Sequence, residues 1–184
     1  MASAIDIVNT AFIQLGEDGI SSFTEDSVSA EIASALYTSV KNTTIAMHPW
    51  KFATRFSQLS RLADAVPGNP YDHAFQLPSD YVRTLNVDYL SIPFDIVGDK
   101  LFSNNQTVTL EYVYNVEETH FPAWFTKLVE YRVAAEAAIP IAQSVNRAEY
   151  FSQLAERHLR ECRRIDAQQA PTEGFRSFAF LRGN

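Results

Sequence analysis

Cysteine is almost absent from this chain. Cys162 is the single one in 184 residues, which excludes an intrachain disulfide framework and any cysteine cluster holding a metal within one chain. Long apolar runs are missing as well. No stretch approaches the roughly 20 consecutive apolar residues of a membrane-spanning helix. The start, Met1-Ala2-Ser3-Ala4-Ile5-Asp6, carries no basic segment ahead of an apolar one, so neither a membrane span nor a secretory leader is expected, and the chain is expected to be made in the cytosol. Internal repeats and low-complexity tracts are absent. So are a phosphate loop, a dinucleotide glycine fingerprint, a nucleophile elbow and a metalloprotease helix motif.

These absences weigh against an enzyme. The pairs Glu17/Asp18 and Glu117/Glu118 are the nearest approach to a general acid and base, but adjacent carboxylates at helix boundaries usually cap or face solvent, and nothing gathers an apolar pocket around them. A small hydrolytic enzyme is the remote alternative. No cofactor and no metal are expected. His158 and Cys162 fall four residues apart on one helix face, and two ligands without partners do not make a zinc site. His158 reads instead as a core histidine satisfied by its surroundings, while His73 and His120 lie near turns and point to nothing.

What is present is an ordinary globular composition, 46% hydrophobic and 20% charged, which predicts a folded chain. Its length suits one domain with a sizeable core. The net charge of -7 is unevenly placed. Residues 1–45 carry Asp6, Glu17, Asp18, Glu25, Asp26 and Glu31 against Lys41, whereas residues 116–184 carry nine acids and nine bases. An acidic first third argues against DNA binding on that surface, which needs clustered Lys and Arg. It does not exclude standing beside DNA, since an acidic wall repels a passing duplex and keeps it from sticking. A solvated acidic face that aids solubility is the plainer alternative.

Patterning predicts an α+β fold: a four-helix bundle with an inserted antiparallel β module and an extended C-terminal tail. Residues 1–169 form the single domain and 170–184 the tail. The first helix is expected over about 3–15, with Ile5, Val8, Phe12 and Leu15 on one face and Gly16 as its stop. Ser22-Phe23-Thr24-Glu25 has capping-box spacing and is expected to open a second helix over about 23–47, with Val28, Ile32, Leu36, Tyr37 and Val40 toward a core. Pro49 ends that helix and makes His48-Pro49-Trp50 a structural corner, followed by a strand. Turn chemistry recurs at Pro67-Gly68-Asn69-Pro70, Leu77-Pro78-Ser79-Asp80, Val97-Gly98-Asp99-Lys100 and Ser103-Asn104-Asn105. Between these turns lie strand candidates, best Thr107 to Tyr114, and their spacing suggests an antiparallel meander over about 51–115. A third helix is expected over about 121–143, with alanines that let a neighbour approach. A fourth is expected over about 146–168, capped by Asn146-Arg147-Ala148-Glu149 and striped by Phe151, Leu154, Ala155, His158, Leu159, Cys162 and Ile165.

Six segments in order carry a resemblance. They are Ala11-Phe12-Ile13-Gln14-Leu15-Gly16-Glu17 with Ile20-Ser21-Ser22; Ala46 to Arg55; Phe75 to Arg83; Leu110-Glu111-Tyr112-Val113-Tyr114; Val133 to Pro140; and Arg164-Ile165-Asp166-Ala167-Gln168. The chain resembles the tail tubular protein A family of short-tailed bacteriophages, the head-to-tail adaptor, from about residue 4 to 170. Two departures stand out: Phe121-Pro122-Ala123-Trp124-Phe125 lacks the aspartate cap associated with that position, and the tail after Gln169 matches no family pattern.

The resemblance implies a structural virion protein at the head-to-tail interface. Members form a ring, here expected to hold twelve copies, beneath the portal protein and above the tail nozzle, tubular protein B. They enclose the channel through which double-stranded DNA passes without sequence-specific binding, and tail fibres are a possible further partner. A head-completion or stopper connector of a long-tailed phage is the alternative, and the sheet module with its Leu77-Pro78-Ser79-Asp80 segment favours the short-tailed reading. A ring subunit needs side-to-side contacts. Opposite the apolar stripe of the fourth helix, Arg157, Arg160, Glu161, Arg163 and Arg164 form a mixed-sign face suited to the acidic N-terminal helices of a neighbour, Glu17 and Asp18 among them; a solvated face is the alternative. In the tail, Phe175, Arg176, Phe178, Phe180 and Arg182 are too aromatic for an ordinary terminus. They are expected either to dock on the portal with the phenylalanines as anchors or to fold back on their own domain.

Overall fold

The structure, a computed structural model, describes residues 2–63, 70–88 and 92–169. The order of elements is α1 (Ala4–Gln14), α2 (Val28–Ala46), β1 (Thr54–Gln58), β2 (Ser60–Arg61), β3 (His73–Gln76), β4 (Tyr81–Val87), β5 (Phe94–Val97), β6 (Lys100–Ser103), β7 (Thr109–Tyr114), α3 (Ala123–Ala137) and α4 (Val145–Gln168). The class is α+β: four helices and two antiparallel sheets among the described residues.

The helices do not form the expected four-helix bundle. α3 is a hub, with α1, α2 and α4 each packed along it and little direct packing of α1 on α2. The reason lies in α3 itself. Phe125, Leu128, Val129, Val133, Ala134 and Ala137 are all buried, and at 100° per residue they run round most of the helix rather than along one stripe. A helix buried over most of its circumference takes cover on several sides. α4 meets the other two chiefly through side chains near its ends, where Arg147 donates to the Leu15 carbonyl and Arg163 to the Met47 carbonyl at 3.5 Å.

The β region is likewise not one meander. β1, β7 and β4 form one sheet in the order β1-β7-β4, and β2, β3, β6 and β5 form a second in the order β2-β3-β6-β5. The chain passes between them at Leu59, which breaks the long first strand and donates its N–H to the Val108 carbonyl. Only β2-β3 and β5-β6 pair as sequence neighbours; at β1/β2, β3/β4, β4/β5 and β6/β7 the chain changes sheet, which local turn chemistry does not reveal. β7 is the wall between two cores. Its Leu110 and Tyr112 join Phe75, Leu77, Val87 and Leu101 in a core shared by the two sheets, while Val113, with Val116 beyond it, packs into the helical core.

Three helix boundaries differ from expectation. α2 starts at Val28, capped by Ser27, whose hydroxyl accepts from Ala30 N at 3.1 Å. Ser22 and Glu25 do not open it. The Glu25 carboxylate accepts instead from Ser21 N at 2.8 Å and from the Ser21 and Ser27 hydroxyls, so the capping-box pair stabilises a turn. The buried stripe of α2 is Ala30, Ala33, Tyr37, Val40, Thr44 and Ile45, leaving Val28 71% exposed. α3 ends at Ala137, short of 143, and α4 is capped by Ser144, which accepts from Arg147 N, with Asn146 already inside the helix. α1 ends where Gly16 takes φ +76°, a conformation glycine adopts without steric cost.

Candidate subunit interface and the corner at Trp50

The junction between the helical layer and the sheets is built on Trp50. Its side chain is fully buried, and the indole N–H donates to the Thr44 carbonyl at 3.2 Å, satisfying the one polar atom of the ring. Phe125 and Trp124 lie with ring centroids 5.2 and 5.6 Å away, and His48 stands edge-on at 4.6 Å. Pro49 separates these two rings and keeps the chain from continuing α2, so Thr54 starts a strand four residues after Trp50.

Asp166 ties this corner to α4. It is 1% exposed, accepts the Lys51 backbone N–H at 2.9 Å and lies 3.3 Å from His48 Nε2. Burial holds the His48 imidazole below its ordinary value of 6.5, although Asp166 pulls the other way. Asp166 was not singled out from sequence. The signal was there: it stands four residues after Cys162 on the buried face of an amphipathic helix, where an acid needs a partner.

The outer face of α4 carries the arginines. Arg157, Arg160, Glu161, Arg163 and Arg164 are all exposed. Arg164 Nη2 lies 3.6 Å from Glu161 Oε1, both well in solvent, where such pairs contribute little. Among the described residues neither Arg157 nor Arg160 forms an ion pair; both line a shallow groove with Gln153, Glu156 and Tyr150, the tyrosine 56% exposed. His158 and Cys162 turn inward, with His158 Nε2 2.9 Å from the Trp124 carbonyl and Cys162 Sγ donating to the same oxygen at 3.4 Å. Burial pushes the Cys162 thiol up to about 11.

Glu17 and Asp18 lie elsewhere. They follow Leu15, whose carbonyl accepts from Arg147, so they sit near the first turn of α4, about 15 Å along the helix from Arg157 at 1.5 Å per residue. A separate acidic surface lies at the start of α2, where Phe23, Glu25, Asp26, Val28 and Glu31 line an open groove. Hydrogen bonds from Ser21 and Ser27 lower Glu25 to about 2, which keeps it charged. No Lys or Arg occurs before Lys41, so nothing nearby in sequence neutralises this groove. The tail residues Phe175, Arg176, Phe178, Phe180 and Arg182 lie outside the described residues.

Two other polar clusters join elements. Arg55 lies 3.8 Å above the Tyr114 ring and pairs with Asp80 Oδ2 at 2.8 Å, while Tyr112 donates to Asp80 Oδ1 at 3.0 Å. Tyr37 and Lys41 both donate to Glu118 Oε1 at 3.0 Å. Among the described residues no three His, Cys, Asp or Glu side chains gather where a metal ion would sit, and no helix is long and apolar enough to cross a membrane. The protein thus carries an arginine face on α4 and an acidic groove at the start of α2, two surfaces of opposite charge.

No protein-family model matches this chain, and a comparison with curated proteins finds no match either.

Proposed function

We propose that this protein is a head-to-tail adaptor of a short-tailed bacteriophage, a structural virion subunit that assembles as a ring between the portal and the tail nozzle and surrounds the DNA channel. The observation that carries the reading is where the six resembling segments fall. Leu15-Gly16 ends α1, Trp50 makes the corner, Asp80 joins β1 to β7, Leu110 to Tyr114 is the wall between the cores, Val133 to Ala138 lies on the hub helix, and Asp166 is the tie at the corner. Shared residues at the joints are what a common architecture needs, since surface positions are free to vary while joints are not. The charge segregation adds support, because subunits that meet side to side need two different complementary faces.

The test is the mass and negative-stain image of the purified protein, alone and mixed with its cognate portal. Rings with a central channel, free or seated on the portal, are the expected result. A stable monomer that ignores the portal refutes the adaptor reading.

A further inference from the structure

We infer that the acidic groove at the start of α2 receives the arginine face of α4 from a second copy of this chain, head to tail. The inference rests on the adaptor reading for its expectation that copies meet, and it names the surfaces by which they do so.

The groove is open, acidic and partly apolar: Asp26 and Glu31 line it together with Phe23 and with Val28, which is 71% exposed. Residues 17–31 hold five acids and no base, whereas residues 157–164 hold four arginines and one acid. Arg157 and Arg160 are bordered by the exposed Tyr150, so the donor face has the same mixture of charge and apolar surface as the groove.

A chain cannot fill its own groove. α4 reaches α2 at its C-terminal end, where Arg163 donates to the Met47 carbonyl. Glu31 lies about 24 Å back along α2 from Met47 at 1.5 Å per residue, beyond the span of an arginine side chain. The two faces belong to different helices, and among the described residues no salt bridge joins them within one chain. A contact between two different patches on each copy is heterologous, and it closes into a ring or continues as a filament.

The experiment is a disulfide trap in the full-length chain carrying Asp26→Cys and Arg160→Cys, both at exposed positions. The native Cys162 is buried on the inner face of α4. Mild oxidation at low ionic strength is expected to yield a ladder of covalent multimers on a non-reducing gel. Adding Arg157→Glu to the trap, or Glu31→Arg, is expected to cut ladder formation about tenfold, because like charges then face one another. Combining Arg157→Glu with Glu31→Arg in one trapped chain restores opposite signs and is expected to restore the ladder. An intrachain bond, dimers alone, no bond, or a ladder indifferent to the charge reversals overturns the inference. Portal binding is measured in parallel. A protein that seats on the portal but gives no ladder loses this contact and keeps the adaptor reading; a ladder without portal binding does the reverse.

Discussion

At Asp166 a single carboxylate holds two elements in register. It satisfies the Lys51 N–H and stands against His48, and replacing it by alanine leaves a backbone donor without an acceptor at a buried site. Asp166→Ala is expected to cost about 1–3 kcal/mol, read from the midpoint of denaturant unfolding; an unchanged midpoint removes Asp166 from the joint. His48 makes the corner sensitive to pH. Its folded-state value lies below 6.5, so between that value and 6.5 the unfolded chain binds more protons and stability falls as pH falls through the window. His48→Gln is expected to flatten this part of the stability profile relative to wild type, and profiles that stay parallel would refute it. Cys162, buried with its thiol pushed up to about 11, is expected to react with alkylating reagents only through opening of the α3–α4 contact, so native labelling at neutral pH should run far slower than labelling in denaturant.

The helices show how a correct local signal can serve the wrong element. Ser22 and Glu25 have the spacing of a capping box, yet Glu25 is held by Ser21 and Ser27, and Ser27 caps α2. Ser27→Ala is expected to cost about 1 kcal/mol, the usual loss of an N-cap side chain, and more than Ser22→Ala. Equal losses in thermal melts would contradict the assignment of the cap. α1 behaved more simply. Ser3 and Asp6 form a reciprocal capping box at its start, Gly16 ends it at φ +76°, and Asn9 exchanges hydrogen bonds with Ile20 at 2.7 and 2.9 Å to fold the following loop back.

The whole molecule has two cores with β7 between them. Leu101 is fully buried in the core of the sheets, and Leu101→Ala is expected to destabilise by about 2–5 kcal/mol. Hydrogen exchange locates the damage: amides of β5 and β6 are expected to lose protection before those of α3, because Leu101 belongs to a core that the hub helix does not share. Simultaneous loss in both regions would mean that the cores open as one unit.

What depends on near neighbours can be read from the chain alone. The period of α1 and α4, the glycine stop at Gly16, the proline corner before Trp50, the strand through Leu110 to Tyr114 and the acid-only first forty residues were all legible, because each rests on spacing, a fixed dihedral or composition within a few residues. Tertiary structure alone decided which helix became the hub, how the strands divided between two sheets, and that Asp166 would meet His48 and Lys51. The physical reason is that periodicity identifies which face a segment buries but not against what. α3 is buried over most of its circumference and so gave no single face to read, and strand partners and buried hydrogen bonds are chosen by contacts between residues as far apart in the chain as Lys51 and Asp166.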